Sequence, residues 1–196
     1  MKPICLAVFT ACGLASVASH AEEWTKEPTT VFGIELGAPI LSASVPDCPR
    51  RDYPTWATQP AQMCIRNRDS PYADRILTLE AIPLTEVSFD ATIALFEGAV
   101  LSISLEFHAN SFAKTKAIFI ERYGPPTRSS SYELTANSGA TATSELLLWI
   151  GKTNTITLAE RRGRIDRGRA EFENNAVLAR YSKKIEQDVK GAASKL

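Results

Sequence analysis

The most constraining feature of this chain is a pair of apolar arms around one turn: Ala91 to Phe96, then Glu97-Gly98, then Ala99 to Phe107. In the second arm Leu101, Ile103, Leu105 and Phe107 alternate with Ser102, Ser104, Glu106 and His108. A period of two sets the first four against a core and the second four towards solvent, so the pattern reads as a β-hairpin.

Around that hairpin the other elements are placed by local signals. Val31 to Ile40 begins as a short strand and breaks at Gly37 and Pro39; Ile76 to Leu84 and Val87 to Phe89 are apolar pieces of strand size. Asn110-Ser111 is suited to cap a helix from Phe112 to Tyr123, with Phe112, Phe119, Ile120 and Tyr123 on one face and Gly124-Pro125-Pro126 as its stop. Ser130 to Thr135, a turn at Gly139, Glu145 to Ile150, a Gly151-Lys152 turn and Thr155 to Glu160 predict three antiparallel neighbours, because their connections are short. Arg169 to Glu173 is one more strand. Val177, Tyr181, Ile185 and Val189, spaced by four, predict a terminal helix ending near Gly191. The expected fold class is α+β: an antiparallel sheet of about five to eight strands, one helix packed across it and a second helix at the C-terminus.

The first 21 residues differ from the rest. Lys2 supplies a positive start, Ile4 to Val17 is an uncharged apolar run, and Ala18-Ser19-His20-Ala21 offers small side chains at a cleavage position. This is the pattern of a secretory signal peptide, too short to span a bilayer; lipoprotein processing at Cys12 is the alternative. Residues 22–196 then form a single domain, exported to the periplasm or secreted. Only Cys48 and Cys64 remain of four cysteines. Two cysteines in an oxidising compartment predict one disulfide, closing a short loop from Pro49 to Met63 that contains Pro54, Trp56 and Pro60. Two thiolate metal ligands are the competing reading, but supporting histidines are missing.

Several stretches together resemble a group of small exported proteobacterial proteins of unknown function: Phe96-Glu-Gly-Ala-Val-Leu-Ser-Ile-Ser-Leu-Glu-Phe107, Glu121-Arg-Tyr-Gly-Pro-Pro-Thr127, Leu148-Trp-Ile-Gly151, Thr155-Ile-Thr-Leu158 and Gly163-Arg-Ile-Asp166. Phe32 to Gly37 followed by a cysteine pair is similar to the same pattern. The resemblance implies the strand-helix-strand order and export; it implies no activity and carries over no catalytic residue.

Chemistry is limited by what is scarce. The single histidine outside the leader, His108, has solvent-facing parity at a strand end, which disfavours a hydrolytic triad and a zinc site alike. No cofactor and no metal is expected, and no catalytic residue is assigned. Charge is polarised along the chain, net −6 over residues 22–100 and +5 over 101–196. Much of that positive excess sits in Arg161-Arg162-Gly163-Arg164-Ile165-Asp166-Arg167-Gly168-Arg169. Five guanidinium groups in nine residues, with glycines to shape the loop, suit contact with an anionic partner; a solvated tip whose arginines pair with Asp166, Glu160 and Glu171 is the plainer reading. The expected function is a non-enzymatic binding or interaction protein, such as an inhibitor or immunity-type factor. Its partner would be another envelope protein or an anionic envelope component, with nucleic acid excluded by location. The alternative is an envelope hydrolase using paired carboxylates.

Overall fold

The computed structural model describes residues 24–42, 45–49, 62–66, 76–84, 86–136 and 139–194; the first 21 residues, where a signal peptide is expected, and most of the Pro49 to Met63 loop lie outside them. A small hairpin, β1 (Thr30–Val31) and β2 (Ile34–Glu35), precedes the main sheet. Four strands follow as a meander: β3 (Cys64–Arg66), β4 (Ile76–Glu80), β5 (Asp90–Phe96) and β6 (Ala99–His108). Helix α1 (Phe112–Tyr123) leads to a second meander, β7 (Arg128–Thr135), β8 (Thr141–Ile150), β9 (Asn154–Ala159) and β10 (Arg167–Asn174), and α2 (Asn175–Ala193) is the last element among the described residues. The eight strands form one antiparallel sheet in the order β3-β4-β5-β6-β10-β9-β8-β7. The two meanders meet at β6 and β10, so α1 must carry the chain from the centre of the sheet to its far edge. In doing so it covers the inner face of the second meander.

That crossing builds the core. Phe119 of α1 sits 5.7 Å from the Phe172 ring on β10 and 6.1 Å from Trp149 on β8, with Tyr123 at 5.5 Å. Phe107 is fully buried and Phe119 nearly so, as the strand and helix periods require. Each such ring removes a large apolar area from water and sets an edge or tilted contact with the next.

Local chemistry explains where the elements depart from expectation. The expected strand at the start of the 31–40 segment is a hairpin over residues 30–35, because Phe32 and Gly33 both adopt positive φ (53° and 77°) and reverse the chain after two residues. Glu97 and Gly98 do the same between β5 and β6 (52° and 76°). Residues 87–89 are not a strand, although Val87 is buried. Leu101 leaves the main core: Leu95 pairs with Val100 and Ala94 with Ser102, so Leu101 is an extra residue in a bulge and packs with Ala99 and Val177 in a small cluster under α2. On α1 the buried stripe is Phe112, Thr115, Phe119 and Tyr123, and Ile120 faces solvent. Ser111 makes no side-chain cap; a 3-10 turn over residues 109–111 leads into the helix instead.

Cys48 and Cys64 are joined in a disulfide with Cα atoms 4.8 Å apart. Closing a loop of this size is worth about 3 kcal/mol by chain entropy. Glu80 lies beside the pair, but bonded sulfurs offer no thiolate to a metal.

Candidate functional site

The arginine run forms the β9–β10 turn and the start of β10, and each of its five guanidinium groups has a carboxylate partner. Arg161 pairs with Glu160 and also donates to the carbonyls of Thr143 (2.7 Å) and Ile165 (3.1 Å). Arg162 lies 3.7 Å from Glu171, and Arg164 holds Asp166 at 2.9 and 3.0 Å. Those hydrogen bonds keep the Asp166 carboxyl below the usual carboxylate range. Arg167 and Arg169, both on the outer face of β10, converge on Glu106 of β6 at 3.9 and 3.4 Å, and Arg167 also reaches Asp90 at 3.4 Å. The register makes this pairing: Arg169 stands opposite Glu106, which stands opposite Asp90. The two glycines differ. Gly163 has φ +72° in the turn, whereas Gly168 is buried, and a Cβ there would lie 2.4 Å from the Phe107 ring. Its role is close approach to the core and not adaptability to a partner.

His108 is exposed at the end of β6, where Nδ1 accepts from the backbone N–H of Asn110 at 3.4 Å. It turns the chain into the 3-10 segment. Glu171 and Glu173 stand two positions apart on the outer face of β10. Burial, and then the charge of Glu171, pushes the Glu173 carboxyl up, with Arg162 opposing, while Glu171 accepts from Ser104 Oγ at 3.2 Å.

A second charged region was not legible as a run. Residues 24–28 form a strap across the open end of α1 and the β8–β9 turn. Trp24 Nε1 donates to the carbonyl of Tyr123 (2.8 Å), and Asn154 Nδ2 donates to that of Pro28 (2.8 Å). The Glu27 carboxylate accepts from the backbone N–H groups of Lys152 (3.1 Å), Thr153 (2.7 Å) and Asn154. Gly151 makes room for it, since a Cβ there would lie 2.4 Å from the Glu27 carboxyl carbon. Buried Asn174 completes the lock: Nδ2 donates to Asn154 Oδ1 (3.0 Å), while Oδ1 caps α2 by accepting from the N–H of Val177 (3.1 Å). Beneath the strap lies a cleft of about 680 Å³, lined among others by Lys26, Arg128 and Lys152. Among the described residues none of those three has a carboxylate partner; Lys26 Nζ reaches only the carbonyl of Glu121, at 3.4 Å.

Helix α2 is anchored only at its start. Val177 is buried and Tyr181 meets Phe96 edge-on at 5.4 Å, but Tyr181, Ile185 and Val189 are 39, 44 and 63% exposed. The spacing predicted an apolar stripe correctly; the structure leaves most of it bare. Comparison with protein-family models, with curated proteins and with solved structures gave no match for this chain.

Proposed function

We propose that the protein is an exported, non-catalytic interaction protein of the periplasm or extracellular space, one of the small exported proteins its motifs resemble, which acts by holding another envelope protein as an inhibitor or immunity-type factor does. The observation that carries this reading is the outer part of α2. From Ala179 onward no residue of the helix is buried, yet Tyr181, Ile185 and Val189 keep one apolar stripe. A stripe that the sheet does not cover is surface for a partner. Its flanks name the partner's chemistry. Arg180, Lys183 and Lys190 have no ion pair among the described residues, against one unpaired acid, Glu186, since Asp188 is taken by Lys184 at 2.7 Å. The fitting occupant is therefore an apolar groove with an acidic rim. No helix among the described residues is long and apolar enough to cross a membrane.

Photo-crosslinking from α2 in intact envelopes tests this reading. With the crosslinker at exposed position 182, so that the stripe stays intact, one protein should be captured by the native stripe and lost when Tyr181, Ile185 and Val189 are all replaced by Ser, with the melting curve unchanged. Identical capture by the triple variant rules out α2 as the docking element, and a dimer of the chain itself as the sole product rules out a heterologous partner.

One observation favours a second reading, hydrolysis by paired carboxylates: the raised carboxyl of Glu173 beside Glu171. Release of reducing ends from envelope polysaccharide, abolished by Glu173→Gln, would establish it.

A further inference from the structure

The strap cleft brings together three cations from distant parts of the chain, at positions 26, 128 and 152, and gives none of them a carboxylate. Like charges gathered without counterions are a cost to the fold unless something else uses them. The one acid in the lining offsets part of that charge but pairs with none of the three, because the Glu27 carboxylate is turned into three backbone N–H groups of the 152–154 turn. Nor does the C-terminal end of α1 present bare carbonyls to the space. The Tyr123 carbonyl is taken by Trp24, that of Gly124 by Trp149 at 2.8 Å and that of Ile120 by the Gly124 N–H.

The walls are of another kind. Pro125 and Pro126 offer no N–H, and Ile150 is 41% exposed beside them. Rigid, weakly polar walls with cations at the rim, around a volume within the 300–1,000 Å³ range typical of small-molecule sites, suit a ligand with a compact body and a charged end. Arg128 presents a planar fork for two oxygens, and the two lysines present point charges.

We propose that this cleft binds a small organic oxyanion, a phosphate or carboxylate carried on a ring-sized body, independently of any partner on α2. Envelope phosphosugars and uronates share that chemistry. The geometry also assigns the strap its role: Glu27 and Trp24 hold the cleft's roof in place, and Gly151 is needed so that the roof can close.

Titration calorimetry of the purified full chain at low salt, with glucose 6-phosphate, glucuronate, glucose and inorganic phosphate as probes, tests the site. At least one charged sugar should bind saturably and weaken as salt is raised, and glucose should not bind. Arg128→Gln and Lys152→Gln, both at exposed positions, should each weaken binding about tenfold, with part restored by Arg128→Lys. Arg164→Gln, in the hairpin, should leave it unchanged. Saturation by neither charged sugar overturns the proposal, as does equal binding by the cleft variants or an equal loss in Arg164→Gln. Preference between the two sugars identifies phosphate or carboxylate as the source, and equal affinity for inorganic phosphate removes the ring-sized body from the claim.

Discussion

The arginine hairpin and the strap cleft are both positive in sequence, yet they are electrostatic opposites in the folded chain. In the hairpin five guanidinium groups meet Glu160, Glu171, Asp166, Asp90 and Glu106, so the densest cationic run in the chain is internally neutralised. In the cleft three cations from separate parts of the chain have no ion pair among the described residues, although Glu27 shares the lining. The difference follows from position. Arg169 of β10 stands opposite Glu106 of β6, with Arg167 beside it, and the other arginines meet acids of the hairpin itself, whereas the acid in the cleft lining is held by a turn's N–H groups. Charge density along a sequence is therefore a poor guide to charge available for binding.

The comparison can be tested first at its structural roots. Phe107 lies directly against Gly168, so Phe107→Ala should empty the ground under the hairpin and destabilise the protein by about 3–5 kcal/mol, as would Phe119→Ala on the other side of the core. Chemical denaturation measures this, and an unshifted midpoint would mean that neither ring is buried as described. Next in size is the strap: Glu27→Ala should cost about 1.5–3 kcal/mol, because charge-assisted hydrogen bonds to three N–H groups are lost together. Faster amide exchange at Lys152, Thr153 and Asn154 in this variant would locate the loss.

Smaller effects sharpen the contrast. Glu106→Ala should change stability by less than about 1 kcal/mol, since its pairs with Arg167 and Arg169 are partly solvated, but it frees Arg169 and leaves Arg167 only Asp90. The variant should elute from an anionic column at higher salt than the native chain; unchanged elution would show that the hairpin arginines were available all along. The smallest effect depends on pH. Burial and Glu171 hold the Glu173 carboxyl above the ordinary range in the folded state, so its ionisation opposes folding. That cost is present above the folded value and disappears as pH falls through it to below the unfolded value. Glu173→Gln should be more stable than the native chain at neutral pH, and the gap should close in acid. A gap that widens in acid would reverse the assignment.

Much of the architecture was open to reading without coordinates. The β5–β6 hairpin, α1, the β7 to β10 meander and the terminal helix all carry local signals: Glu97-Gly98, Gly124-Pro125-Pro126, Gly151-Lys152 and the four-residue spacing of α2. The disulfide joins the two cysteines that the expectation of export leaves as a pair, Cys48 and Cys64. The site was far less legible. Lys26, Glu27, Arg128 and Lys152 are unremarkable in sequence, and no local pattern joins Asn154 to Asn174.

Periodicity, turn chemistry and cysteine number act over a few residues, and for that reason the sequence by itself determined the element types, their order and most of their faces. Everything that depends on which strand lies beside which was decided by the tertiary structure. The bulge that turns Leu101 under α2, the Glu106 that binds two arginines across the strand, and the strap that gathers three distant cations arise only when α1 carries the chain across the sheet and β10 returns to β6. Coulomb pairing and packing act through space, over distances that a fold sets and a linear pattern does not encode.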